Sequence, residues 1–422
     1  MAAGSVSQTI ASQFEHVDDT LEPLYLMSAP LWKRFKKDQK IKAVSNRPSR
    51  TTFEAISGGK FRASGLDGQD MGRGSSVTEV FGDISCVTFI QASEYTKLAD
   101  YATDSNEKAI KDYVTLTQQR AAESFGQYLD AVVCYGDGAN TLDTVVSTTT
   151  GGIVVNNANK FQGNQDVDVW PSPLGSGAKR GTITIQTPDI ANNTIWLTTA
   201  IPVGTVAGDL LLVSGSAGVA NTGLYGLQYF HSAGNTGNYE GIQKSAFPGE
   251  FSTPNINLNS ASMTPQSVRA LDAQVRLAIG SDKADQNELF CHGGVEGQAA
   301  WENTSINVQH VVANEVKGDQ AFDMLKRKAP TLIAGREYVP NERATPGRLD
   351  FISQKMWSRV ETTPFGFYEV GGQTVFPTYG ISGGIASSII FYYKVMLQLH
   401  LVAPRADAYL SNFAIPRYYF GH

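Results

Sequence analysis

DSNEKAIKDYVTLTQQRAAESFGQYLDAVVCYGDG, residues 104–138, carries the strongest helical pattern in the chain. Asp104 stands three positions before Glu107, in the manner of a capping box, where a short polar side chain and an acid satisfy free backbone N–H groups. Ile110, Val114, Thr117, Ala121, Phe125, Tyr128 and Val132 follow at steps of three or four, which places them along one helical face. Glu107 and Lys111 add a favourable pair one turn apart. About 30 residues at roughly 1.5 Å each make a rod of about 45 Å. Gly136-Asp137-Gly138 stops it, because glycine takes the left-handed turn that closes a helix. A single helix this long, set among β-segments, braces a flat domain instead of joining a bundle. The chain therefore reads as α+β.

Working toward the N-terminus, residues 48–92 read as an extended β-ribbon loop. Thr51-Thr52-Phe53-Glu54-Ala55-Ile56 alternates at one end, and Val77-Thr78-Glu79-Val80-Phe81 with Cys86-Val87-Thr88-Phe89-Ile90 at the other. Between them, residues 65–74 form a tip with four glycines: Gly65, Gly68, Gly72 and Gly74. An isolated hairpin of this kind is marginal in water and needs a sheet or a neighbouring molecule to lie on. The tip lacks the strand–GxxxxGK[ST]–helix order of a phosphate-binding loop.

Residues 1–47 read as an N-terminal arm. Leu21, Leu24, Leu26 and Met27 precede Pro30, and Leu31, Trp32 and Phe35 interleave with Lys33, Arg34, Lys36 and Lys37. The same pattern also suits the end of a solvated amphipathic helix. Between Lys33 and Arg73 there are eleven basic and four acidic residues, a local charge of +7 that leaves −13 on the rest of a chain of net −6. Such asymmetry points to a segment that docks on something acidic, either nucleic acid or the body of a second copy.

Toward the C-terminus, residues 93–151 hold the long helix in a peripheral domain, and residues 152–216 read as a small inserted β-domain. Its pieces are Val167-Asp168-Val169-Trp170, Thr182-Ile183-Thr184-Ile185, Thr194-Ile195-Trp196-Leu197 and Leu210-Leu211-Leu212-Val213. Turn residues separate them at near-regular spacing, which predicts a small barrel or sandwich. Residues 217–347 mix helix and strand, with a helix from Thr264-Pro265 through Val268, Leu271, Val275 and Ile279 to Gly280, and a buried strand at Leu289-Phe290-Cys291. Residues 348–422 return to strands.

The composition narrows the function. Charged residues are 18% of the 422, against about 25% in an average soluble domain, which suits a surface largely covered by partners. Cys86, Cys134 and Cys291 lie far apart, so neither a disulfide framework nor a zinc site is expected. No signal peptide is read at the start. The apolar stretch Ile381 to Ala403 contains Lys394, Gln398 and His400 and reads as buried strand, not a membrane span. Six scattered histidines form no HExxH pair, and no cofactor is expected. Cys291-His292 is the best nucleophile–base candidate, but neighbours on a strand point apart. A carboxylate pair of a glycan-degrading enzyme remains an alternative, as does nucleic-acid binding by Lys33 to Arg50 with Trp32 and Phe35 as stacking surfaces.

The order of parts (basic arm, glycine-tipped ribbon, long spine helix, mixed domain, late return of strands) resembles the tailed-phage major capsid protein fold, shared with herpesvirus shells and encapsulins. Local stretches strengthen it: Gly223-Leu224-Tyr225-Gly226-Leu227 and Tyr239-Glu240-Gly241-Ile242 look like the start of the family's axial domain. Phe161, Gly163-Asn164-Gln165-Asp166-Val167-Asp168-Val169 and Ala207-Gly208-Asp209 look like the inserted β-domain of some members, and Leu401-Val402-Ala403-Pro404-Arg405-Ala406-Asp407-Ala408 like a late strand and turn. The resemblance implies a structural protein of the virion, assembled in the host cytoplasm as a homo-oligomer of hexamers and pentamers in an icosahedral shell. Arm and ribbon would reach across subunits through Lys33, Arg34, Lys36, Lys37, Arg47, Arg50, Arg62, Gly65, Asp67, Gly68, Gly72, Arg73 and Gly74. It also implies scaffolding, portal and decoration proteins as partners, weak contact with packaged DNA, and no membrane. Another phage structural protein is the remaining alternative.

Overall fold

The computed structural model describes residues 30–38, 49–59, 74–96, 113–232, 237–301, 332–379 and 385–415. Its long helix spans Tyr113–Tyr135, 23 residues or about 35 Å; residues 104–112, expected to begin it, lie outside the described set. Ala121, Phe125 and Val132 of the predicted stripe are buried. In the last turns Leu129, Ala131, Val133 and Cys134 are buried too, so the helix ends enclosed on all sides. Around it pack Pro30–Arg34, Val87–Thr96, Thr141–Thr149, Leu227–Phe230 and Ile385–Leu401.

The helix stop is tight. Gly136 has φ +27°, and a Cβ there would lie 2.2 Å from Gly226 Cα. A Cβ on Gly226 would in turn meet Val133 O at 2.5 Å and Gly136 Cα at 2.6 Å. Two backbones touch where no side chain fits, and that contact joins the end of the spine to the Gly223–Leu227 segment. Asp137 completes the turn by accepting from the Ala139 N–H at 2.9 Å and the Thr141 hydroxyl at 2.7 Å.

Three sheets surround this joint. The first is built on Ile385–Leu401, a 17-residue strand. Its antiparallel partners are Trp357–Phe367, Val375–Tyr379 and Val87–Thr96. Lys36–Lys37 of the arm adds in parallel to Trp357–Phe367. The stretch Cys86 to Ile90, read as ribbon, thus leaves the ribbon and enters this sheet.

The second sheet closes into a six-stranded barrel of Leu210–Val213, Thr141–Thr149, Gly152–Val155, Thr194–Leu197, Gly181–Asp189 and Asp166–Trp170, in that order around the ring. Thr141–Thr149 belongs to it because it pairs with both Gly152–Val155 and Leu210–Val213, so the barrel starts ahead of the boundary at 152 read from the sequence. Val145, Ile153, Val167, Val169, Ile183, Ile185 and Ile195 point inward and are buried. Each contributes about 1.5–3 kcal/mol by leaving water. Alternation at period two makes this interior.

The third sheet runs Asn255–Asn257, Ala408–Ser411, Leu349–Ser353, Leu289–Gly293, Arg336–Pro340 and Leu332–Ile333. The helix Pro265–Ile279 lies against it through Val268, Leu271 and Val275. Its ends are those read from the sequence. The Thr264 hydroxyl accepts from the Ser267 N–H at 3.1 Å, Pro265 opens the first turn, and Gly280 at φ +88° closes the last.

Candidate functional site

The ribbon is a two-stranded antiparallel ladder of Ser49–Ile56 and Thr78–Ile84, with a register shift between Glu54 and Ile56. Its outer part is open to solvent, with Ile56 and Val77 54% and 46% exposed, and nearer the root Phe81, opposite Thr52, is 54% exposed. Large apolar side chains on an unbacked hairpin are costly in water and mark a surface that expects cover. Arg50 pairs with Asp83 at 3.0 Å and lies over the Phe81 ring at 5.6 Å. Gly74 is exposed with open space around its Cα.

At its root the ribbon is fastened to Glu240. The Glu240 carbonyl accepts from the Asp83 N–H at 2.8 Å, and its own N–H donates to the Tyr229 hydroxyl at 3.0 Å. Its carboxylate meets His400 Nδ1 at 2.6 Å and accepts from the Thr51 hydroxyl at 3.4 Å. Burial pushes the Glu240 carboxyl up, while His400 and Thr51 hold it back. Glu240 takes φ +48° between Tyr239 and Gly241, a backbone turn that lets both its carbonyl and its carboxylate face the ribbon. Phe53 closes the root, edge-on to Tyr239 at 5.4 Å and Phe251 at 6.0 Å.

Residues 30–38 of the arm dock on their own subunit. Leu31 and Phe35 are fully buried, and Phe35 stacks on Trp357 at 4.8 Å. The Trp32 N–H donates to Asp130 Oδ1 at 2.8 Å, and Arg359 sits over the Trp32 ring at 4.5 Å. Arg34 pairs with Glu337 at 2.5 Å, and Lys37 with Glu361 at 3.5 Å. Two of the basic residues read as contacts thus meet acids of the same chain, whereas Lys33 and Lys36 are exposed. With only Leu31 and Phe35 fully buried in this segment, the body supplies the rest of its core. Arg47, Arg62, Gly65, Asp67, Gly68, Gly72 and Arg73 lie outside the described residues.

Behind the arm lies a buried polar network that no local pattern announces. His231 bridges Asp350 at 3.1 Å and Asp407 at 3.0 Å and stacks on Tyr409. Asp407 also accepts from the Trp357 indole at 2.6 Å and the Ser353 N–H at 2.7 Å. Against the cost of burial, Asp350 and Asp407 raise the His231 pKa above its ordinary value. Against the same cost, Arg348 and the two histidines His231 and His292 hold Asp350 well below the usual carboxylate range. The network ties the first sheet to the third, and its carboxylates, 2% and 0% exposed, face no substrate cleft.

The candidate dyad Cys291-His292 is not brought together. Cys291 faces the third sheet's core near the Ile333 carbonyl, while His292 faces the spine helix, its Nε2 4.0 Å from Cys134 Sγ. Burial, with Asp130 beside it, pushes the Cys134 thiol well up, away from the thiolate that nucleophilic chemistry needs. Among the described residues, no three His, Cys, Asp or Glu side chains converge as a metal cluster, and no helix is long and apolar enough to cross a membrane.

No protein-family model matches the chain, and no curated protein sequence matches it. Solved structures do. The capsid asymmetric unit of cyanophage A-1(L) is 11% identical and superposes with a TM-score of 0.57, covering 94% of this chain and 96% of its own. This chain has the tailed-phage capsid fold. Weaker likenesses include the capsid of a native gene transfer agent particle (10% identical, TM-score 0.49, 95% of both chains) and the SrpI encapsulin of Synechococcus elongatus (8%, 0.46, 96% of this chain and 94% of that one). In the capsid fold, the ribbon rooted at Glu240, the spine helix and the two open sheets form one continuous framework, with the barrel set on the end of the spine.

Proposed function

We propose that this protein is a shell-forming major capsid protein, whose copies assemble as hexamers and pentamers into an icosahedral shell enclosing a phage genome. The observation that carries the reading is the ribbon: a hairpin anchored at its root, with Ile56 and Val77 exposed beyond it. A hairpin with an uncovered apolar face gains by lying on another molecule. The +7 segment from Lys33 to Arg73 and the −13 remainder give each copy a donor and an acceptor surface. Head-to-tail contacts of this type close into rings, and repetition over many copies makes weak contacts strong.

In this reading the virion is the site of action, after assembly in the host cytoplasm. Scaffolding, portal and decoration proteins are the partners, and packaged DNA makes weak contact with the exposed basic residues of the arm. The protein acts by interlocking, not by turnover. Negative-stain electron microscopy of the purified chain tests this: closed shells or rings of five and six support it. A monodisperse monomer in light scattering at every salt concentration overturns it.

A further inference from the structure

A cavity of about 140 Å³ opens between the barrel and the segments around Glu296 and Glu342. Asn156, Asn157, Asn159 and Asn193 line it from the barrel side, Glu296 and Glu342 from the other. Glu296 is 6% exposed, yet its Oε1 has no hydrogen-bond partner. The carboxylate folds back over Gly294 so closely that a Cβ there would sit 2.2 Å from both of its oxygens. A buried carboxylate oxygen with nothing to accept from is rare and demands a partner.

The asparagines define that partner's charge. Asn156 Nδ2 donates to Asp143 Oδ1 and Thr144 Oγ1, both at 2.8 Å. Asn157 Nδ2 donates to the carbonyls of Glu342 and Ala344 at 2.8 and 2.9 Å. This engages the amide donors of Asn156 and Asn157 and leaves their side-chain oxygens to face other partners. Asn157 Oδ1 accepts from the Asn159 N–H at 3.0 Å and Asn193 Oδ1 from the Ala158 N–H at 3.4 Å, which leaves each carbonyl a second lone pair. Lys160, the cation on the same segment, is engaged by Asp143 at 3.5 Å and the Tyr135 ring at 4.7 Å. The cavity therefore presents amide oxygens beside a buried carboxyl that accepts from the Glu296 and Gly347 backbone N–H groups yet leaves Oε1 without a partner.

We propose that this cavity is a calcium site, with Glu296 as its charged ligand and asparagine carbonyls and water completing the shell. Calcium takes six to eight oxygens in flexible geometry and accepts neutral amide oxygens, whereas magnesium demands a near-ideal octahedron. At roughly 30 Å³ per water, the volume accommodates one ion and several waters. Only two carboxylates line the cavity, so affinity falls in the weak class, about 10⁻⁴–10⁻³ M. The ion clamps the barrel to the body across two walls that otherwise meet through Asn157. This inference is independent of the capsid reading.

Calorimetric titration of the chelator-treated full chain with calcium chloride, at fixed ionic strength, decides it. One ion binds per subunit, and the thermal midpoint rises by about 2 °C at roughly ten times the dissociation constant. Glu296→Gln lowers the affinity at least tenfold, and Asn156→Ala, at an exposed position, weakens it several-fold. Absence of saturable binding overturns the proposal, as does unchanged affinity in Glu296→Gln. If Glu296→Gln does not fold, unchanged affinity in Asn156→Ala overturns it instead. Magnesium binding as tight as calcium overturns the choice of ion.

Discussion

His400 Nδ1 lies 2.6 Å from Glu240 Oε1, both side chains buried, at the point where the ribbon leaves the body. This pair reaches the ribbon through Thr51, and the Glu240 carbonyl reaches it through Asp83. Removing one partner of a buried hydrogen-bonded pair leaves the other unsatisfied, at a cost of about 1–3 kcal/mol. Glu240→Leu should therefore destabilise the unassembled subunit by about that much, and Glu240→Gln, which still hydrogen-bonds His400, by clearly less. Chemical denaturation gives the stabilities, and amide exchange at Asp83 reports the ribbon root directly. Wild-type stability and unchanged exchange in Glu240→Leu would show that the ribbon is held elsewhere.

The two glycines at the end of the spine make a second prediction with an internal control. Gly226→Ala drives a methyl group against Val133 O and Gly136 Cα, and overpacking of this kind costs about 1–3 kcal/mol. Gly126 lies within the same helix, and a Cβ added to it meets nothing within 4 Å. Gly126→Ala should stabilise by about 0.5–1 kcal/mol through the helix preference of alanine. Opposite shifts of the thermal midpoint are the expected result. A neutral Gly226→Ala would mean that the two backbones separate without cost.

The His231 network sets a pH dependence. The folded pKa of His231 is raised by Asp350 and Asp407 against burial, so the folded state holds its proton more tightly than the unfolded chain. Its contribution is complete below the unfolded value of about 6.5 and is lost as pH rises through the raised folded value. Asp350, held low, contributes above about 3.8 and fails only as pH falls through its own depressed value. Between these limits the charged network is intact. Subunit stability should decline from pH 6.5 upward in the wild type, and this part of the slope should vanish in His231→Gln. Identical slopes in the two proteins would remove His231 from the titration.

How much of this was legible follows from the distance between partners. The Gly136 stop, the Thr264 cap with Gly280, the ribbon strands and the barrel's alternation are local, and spacing alone reveals them. The pairing of Val87–Thr96 with Ile385–Leu401 joins segments nearly 300 residues apart, and no period in either strand names the other. The same holds for Thr141–Thr149, whose mixed pattern reads equally well as the edge of the helical domain. Tyr239-Glu240-Gly241-Ile242 was visible as a family-like stretch, but the role of Glu240 depends on His400 and Thr51 arriving from opposite ends of the chain. The +7 charge of the stretch from Lys33 to Arg73 pointed outward, yet Leu31 and Phe35, one turn apart, decided where residues 30–38 lie. Apolar burial outweighs exposed charge there, since a buried Phe is worth several kcal/mol and an exposed ion pair below about 1.

The ribbon's outer half provides the last prediction. Root contacts through Glu240, Phe53 and Asp83 lie on the body side of residues 56 and 78, and Glu54 and Ile56 pair with Glu79 and Thr78. Deleting residues 65–74 should therefore leave a folded, soluble subunit with a thermal midpoint close to wild type. Assembly should nevertheless fail, since the tip is the segment proposed to reach the neighbouring copy. Ile56→Ser is the finer version: Ile56 lies beyond the root contacts and is 54% exposed, so the change should cost the subunit little stability and yet weaken assembly. Centrifugation separates shells from free subunits in both variants. Normal shells from the deletion would sink the interlocking role, and an unfolded subunit would place the tip in its own subunit's core.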